Sequence, residues 1–210
     1  MNVLSPRAAR IHGVATVLAP VLLLASSLVH VLSEGGINNG MWGGIIGVWS
    51  ALAFVVAFVG LCRVLEPAAP GAAPVVLVFG LLGWAAGSAF AVNAIHAAVH
   101  GQDLLFEATE GLADPAVLLA FLPWGWFAPL SFVLLGWLLW RTGTGPRWAA
   151  ALLAVGGLLF VIGRPAEIDA IAVAADVALL LALVPLGVRM ITGSLVAPER
   201  SPGRTAPVAG

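Results

Sequence analysis

Long apolar stretches separated by short polar turns recur along this chain, running approximately from Val14 to Leu32, Met41 to Val64, Val75 to Val99, Ala116 to Trp140, Trp148 to Ile162 and Ile168 to Met190. A helix needs about 20 apolar residues to cross a hydrocarbon core of roughly 30 Å. The pattern therefore predicts an all-α fold, a polytopic membrane helix bundle with six transmembrane helices. The fifth stretch is the shortest, and a partly inserted segment is the alternative there. The connections are short, as one compact bundle requires, so residues 1–192 form one domain. The tail 193–210, rich in proline, glycine and small polar residues, is expected to be disordered. Arg7 and Arg10 ahead of the first apolar stretch would also suit a secretory signal peptide, but no clean small-x-small cleavage site follows and five further spans do.

Composition agrees with the pattern. The chain is 61% hydrophobic and 9% charged and contains no lysine, which excludes a soluble globular domain. The implied location is a bacterial inner (cytoplasmic) membrane, crossed several times. The expected partners are the lipid bilayer and, in a homo-oligomer, further copies of the chain; nucleic acid is not among them. Arginines near helix ends are retained in the cytoplasm. With both termini inside, Arg7, Arg10, Arg63, Arg141, Arg147, Arg189, Arg200 and Arg204 fall on the cytoplasmic side and Arg164 alone falls outside. Most acids go the other way: Glu34, Asp103, Glu107, Glu110, Asp114, Glu167 and Asp169 give the outer face a negative potential. The longest outer loop, Gly101 to Asp114, also carries Leu104, Leu105 and Phe106 and suits an amphipathic segment on the membrane surface. Cys62 is alone, which rules out an intramolecular disulfide and predicts a buried structural thiol.

Within the spans, Gly43 and Gly47, like Gly83 and Gly87, are four residues apart. That spacing predicts close helix approach, within the chain first and between copies second. Pro20, Pro123, Pro129 and Pro185 should kink their helices. Trp124, Trp126, Trp137 and Trp140 read first as interfacial anchors, with a ring-binding pocket as the alternative.

The segment GWLLWRTGTGPRWAAALLAVGG, Gly136 to Gly157, carries Arg141, Thr142, Gly143, Pro146, Arg147 and Trp148 around a tight turn. It resembles bacterial six-helix membrane proteins of an uncharacterised, domain-of-unknown-function type, which share the RTGxxPRW turn. The opening RAARIHGVATVLAPVLLL and an acid in the last span, here Asp176, are similar to features of those proteins. The resemblance implies the fold and no activity, so it assigns no site residues.

Candidate chemistry comes from polar groups at membrane depth. At about 100° per residue, Asn93, His96 and His100 share a stripe of the third helix, Asp169 and Asp176 share a face of the sixth, and Ser26, His30 and Glu34 follow one face of the first. A rise of about 1.5 Å per residue puts His100 and Asp169 near the outer rim, with Asn93 and Asp176 each about 10 Å deeper. An ionised side chain there costs about 2.5–3.5 kcal/mol on insertion scales, so Asp176 needs a partner; Asn93 and His96 are the candidates. If the first, third and sixth helices adjoin, these stripes meet in an outward-facing pocket of Ser26, Glu34, Asn93, Asp169 and Asp176. His30, His96 and His100 are then its candidate metal ligands, for a divalent transition metal such as zinc or, using two of them, a haem iron. Interfacial capping is the competing reading of His96 and His100, and His12 reads as interfacial.

Three function classes fit. The first is a protein whose pocket binds a metal or haem. The second is a membrane-embedded metal-dependent hydrolase: Ser26-x-x-x-His30 with His96-x-x-x-His100 faintly resembles the alkaline ceramidase superfamily, in which zinc activates water. Those enzymes have seven helices, with their second histidine pair in the last, and this chain departs from both. The third is a small proton-coupled transporter in which Asp176 and His96 exchange protons. No catalytic residue is assigned.

Overall fold

The computed structural model describes residues 4–101, 119 and 123–195, without the side chains of 123 and 124. Among the described residues there are six α-helices and no strand: α1 Pro6–Ser33, α2 Met41–Leu65, α3 Ala72–His100, α4 Ala128–Thr142, α5 Arg147–Gly163 and α6 Asp169–Ile191. A π-helical turn, Pro123–Phe127, leads into α4. Four helices, α1, α2, α3 and α6, are long and apolar enough to cross a membrane, and α5 is a shorter apolar helix. The predicted amphipathic loop, the beginning of the fourth span and the tail from 196 lie outside the described residues.

Neighbouring helices pack as a closed ring: α1 against α2, α2 against α3, α3 against α4, α4 against α5, α5 against α6, and α6 back against α1. Successive helices run antiparallel. Loop 34–40 and the α5–α6 connection 164–168 therefore share one end of the bundle, here the upper end, and the start of α1 and the end of α6 share the lower. The third helix adjoins neither the first nor the sixth along its length, so only the α1–α6 part of the expected three-helix meeting is a direct helix contact.

The centre of the ring is aromatic. Trp84 stacks on Phe54 with ring centroids 3.8 Å apart. Phe132 meets the edges of both Phe54 and Trp84 at about 5.5 Å, and Phe160 closes the cluster. Lipid tails are as apolar as these side chains, so such helices associate through close packing and polar contacts rather than through escape from water. The glycines act accordingly, within the chain. Gly83 lies against the backbone of Ala128 at the start of α4, and a carbon added at Gly187 would sit 2.7 Å from the Gly13 carbonyl oxygen.

Trp126, Trp137 and Trp140 are exposed. The Arg141 guanidinium lies 5.4 Å from the Trp137 ring, and that of Arg147 lies 5.6 Å from Trp140. These cation–π contacts fit the anchoring reading and explain the chemistry of the Arg-Thr-Gly turn. Gly143 ends α4 in the left-handed conformation at φ 65°, and Thr142 Oγ1 donates to the Leu138 carbonyl at 2.8 Å. Cys62 is free and buried.

Candidate functional site

The upper end concentrates the buried polar groups, and loop 34–40 organises them. Its sequence, Glu-Gly-Gly-Ile-Asn-Asn-Gly, places Gly35, Gly36, Asn38 and Gly40 at positive φ, a region that glycine enters without penalty and asparagine tolerates. Five hydrogen bonds fix this strap. The Ile37 N–H donates to Asp169 Oδ1 at 2.9 Å. Asn38 Nδ2 donates to the Arg164 carbonyl at 3.1 Å. The Asn39 carbonyl accepts from His30 Nδ1. The Glu34 carboxylate reaches over Gly40 and accepts from the N–H groups of Trp42 and Gly43, at 2.8 and 2.9 Å. Glu34 thereby satisfies two of the unpaired donors at the start of α2 and sets a negative charge against the positive end of the helix dipole.

A capping acceptor of this kind contributes about 1 kcal/mol. Glu34→Ala should therefore lower the denaturation midpoint in detergent by a corresponding amount, with Glu34→Gln intermediate. A Glu34→Ala protein that melts like the parent would show that the two contacts carry no weight.

Beneath the strap, His30 is buried, its imidazole filling the space that a side chain at Gly43 would need. Its Nδ1 lies 3.6 Å from Glu34 Oε2. With Nδ1–H directed at the Asn39 carbonyl, Nε2 of the neutral ring is left as an acceptor. Ser26, one turn below, donates to the Gly43 carbonyl at 2.7 Å, so its proton is directed at a backbone oxygen and not at His30.

The deepest element is a buried charge pair. Asp176 on α6 is fully buried, and Arg164, leaving the end of α5, is 8% exposed. Arg164 Nη2 donates to the Asp176 carboxylate at 3.0 and 3.2 Å and to Ser27 Oγ at 2.8 Å. Ser27 Oγ in turn donates to Asp176 Oδ2 at 2.5 Å. The guanidinium lies over the Phe160 ring, 4.6 Å from its centroid. Arg164 Nε is buried without a hydrogen-bond partner, which is costly for a donor in a site of low dielectric. The hydrogen bonds to Asp176 thus come from Ser27 and Arg164, where the sequence pointed to Asn93 and His96. Arg164, expected as an outer-surface charge, turns into the protein. One signal could have identified it: the lone arginine placed against the rule for the others stands 12 residues before the deepest acid.

Arg164, His30, Ser26 and Asn38 line the polar side of a cavity of about 30 Å³, room for roughly two water molecules. The third helix supplies the other wall through Trp84, Gly87, Phe90, Ala91 and Ala94. The first and third helices therefore meet at this cavity without packing on one another, and α6 contributes through the Arg164–Asp176 pair. The remaining predicted residues are distributed differently. Asn93 is buried, His96 is half-buried and His100 is exposed. The His96 and His100 rings lie tilted against each other at 39°, with centroids 4.4 Å apart. Among the described residues no group of three His, Cys, Asp or Glu side chains is placed to hold a metal ion. Asp169 and Glu34 hold the strap and the start of α2. His12 is not merely interfacial: its Nδ1 lies 2.9 Å from the Val56 carbonyl of α2.

Four apolar helices long enough to span a membrane fit a polytopic helical membrane protein, here with a buried Arg–Asp pair in its interior. Residues 35–193 match the family described as Domain of unknown function (DUF4386), and the chain belongs to that family. No curated protein and no solved structure matches it.

Proposed function

We propose that this protein is a membrane-embedded binding protein whose outward-facing pocket takes a small molecule bearing a hydrogen-bond acceptor. The supporting observation is Arg164. It is a buried guanidinium on the wall of a cavity, with Nη2 committed to Asp176 and Ser27 and Nε without a partner. Ionisable residues at membrane depth usually mark binding or transport sites. Arg164 offers donors, His30 Nε2 offers an acceptor for a donor group of the ligand, and Trp84 and Phe90 supply an apolar wall, so the cavity of about 30 Å³ suits a ligand of only a few heavy atoms. The strap 34–40 covers this pocket.

In this reading the chain crosses a bacterial cell membrane six times with both termini in the cytoplasm, as the arginine distribution favours. The upper end then faces outward. A metal ion or haem is the less favoured occupant. His30 Nε2 is available as a ligand, with Nδ1–H held by a carbonyl in the manner of metal-bound imidazoles. A guanidinium on the same cavity wall, however, favours an electron-rich group over a cation.

Cysteine accessibility tests the pocket. In a Cys62→Ala background, Ser26→Cys should react with a small polar thiol reagent added from outside, and millimolar acetate or another small carboxylate should slow the reaction. Ser50→Cys, buried where its parent hydroxyl donates to the Ala19 carbonyl, should stay inert. Equal inertness at both positions would refute an accessible pocket. Protection that persists in Arg164→Lys would refute the role given to the guanidinium fork.

A further inference from the structure

The lower end carries a second site, unrelated to the first. Between the start of α1 and the end of α6 lies a cleft of about 270 Å³, bordered by Leu4, Pro6, Arg10, Met190, Ile191 and Thr192. It exists because the two helices touch backbone to backbone one level higher, at Gly13 and Gly187, while their ends carry larger side chains. Arg10 stands on its wall. Arg7 lies three residues earlier and so on the same side of the helix. Both arginines are exposed, and among the described residues neither guanidinium takes part in a hydrogen bond, an ion pair or a ring contact.

The surface above Arg7 indicates the occupant. At helical steps from Arg7 follow Ile11, Val14, Leu18 and Val21, all exposed and apolar. Val188 and Leu181 add exposed apolar surface on α6. The stripe from Arg7 to Val21 rises about 21 Å, comparable to the length of an acyl chain. Two exposed guanidinium groups, unpaired among the described residues, thus stand at the foot of a lipid-facing apolar track, beside a cleft with Thr192 on its far wall. A zwitterionic lipid offers these cations no net charge, and a soluble anion has no use for the apolar track.

We propose that this cleft binds the phosphate headgroup of an anionic phospholipid, with its acyl chains lying along the Ile11–Val21 stripe. Arg10 and Arg7 take the phosphate, and Thr192, whose hydroxyl is engaged with the Arg189 carbonyl and Ser194 Oγ, borders the cleft on its far side. The site fixes the α1–α6 junction, the seam at which the helix ring closes.

Native mass spectrometry of the full chain in detergent, titrated with dioleoyl-phosphatidylglycerol or dioleoyl-phosphatidylcholine, tests this directly. The anionic lipid should remain bound when the zwitterionic one is lost. Each arginine near a membrane surface contributes roughly fivefold in affinity, so Arg10→Gln should weaken retention about fivefold and the Arg7→Gln/Arg10→Gln pair about 25-fold. Arg141→Gln, at the same membrane level but away from the cleft, should leave retention unchanged. Thr192→Trp, which fills the cleft and keeps both charges, should weaken retention as well. Equal retention of the two lipids, an equal loss in Arg141→Gln, or full retention in Thr192→Trp would each overturn the assignment. Displacement of the lipid by millimolar inorganic phosphate would overturn the lipid as its source.

Discussion

Replacing Arg164 by methionine while Asp176 remains is expected to cost about 3–5 kcal/mol of stability, because it strands a buried carboxylate without its counter-charge. Asp176→Leu alone should cost a similar amount by stranding the guanidinium. The Arg164→Met/Asp176→Leu double variant should be far more stable than the sum of the two losses implies, since replacing a buried ion pair by apolar groups of similar volume is often neutral. Steric denaturation in mixed micelles, followed by tryptophan fluorescence, measures all three. The expected non-additivity follows from the geometry. Nη2 serves both carboxylate oxygens and Ser27 Oγ, and Ser27 Oγ serves Oδ2, so three groups share one closed set of hydrogen bonds. Strictly additive losses would mean that the pair is not coupled as this geometry requires. The double variant also separates structure from function. If it folds, the Ser26→Cys accessibility test should show an open pocket that no carboxylate protects, because the guanidinium is gone and the cavity remains.

Much of the fold was legible because hydropathy in a membrane protein reports directly on the solvent. The apolar stretches from Val14, Met41, Val75 and Ile168 became α1, α2, α3 and α6, with α1 starting about two turns earlier, at Pro6, and the other ends close to those expected, and Gly43 and Gly83 became close-contact positions. Helix neighbours were not legible. A core-facing and a lipid-facing side chain are equally apolar, so Trp84 and Trp49 look alike in sequence, although one is fully buried and the other is 63% exposed. Helical periodicity put Ser26, His30 and Glu34 on one face, but it could not tell that the helix would end at Ser33 and that Glu34, just beyond it, would spend its carboxylate on the start of α2. It also could not tell that α3 would stand across the cavity from α1, not beside it. Arg164 was hidden for a different reason. Topology rules read an arginine after a helix end as a surface charge, whereas the backbone at the α5–α6 connection directs this one inward to Asp176.

Trp84→Ala is expected to be the most damaging of the apolar substitutions. Truncating a buried tryptophan costs about 3–5 kcal/mol through lost contacts and the cavity left behind. The lower part of that range is expected here, because lipid already solvates apolar groups in the unfolded helices and packing provides most of the loss. Trp137→Ala, removing an exposed ring, should change stability by no more than about 0.5 kcal/mol. The interest of Trp84 lies in its two faces: one side stacks on Phe54, and the residue also lines the cavity beneath the strap. Its removal should join the aromatic centre of the ring to the polar pocket, leaving a void bounded by phenylalanine rings and opening toward Arg164. A void lined mainly by apolar groups takes up apolar guests. Added indole should therefore restore part of the lost stability of Trp84→Ala and slow labelling of Ser26→Cys in the same background. Trp137→Ala should respond to neither treatment. If indole failed to stabilise Trp84→Ala while the variant remained folded, the bundle would have collapsed into the space, and the pocket wall would be soft where the packing of Phe54, Phe132 and Phe160 describes it as rigid.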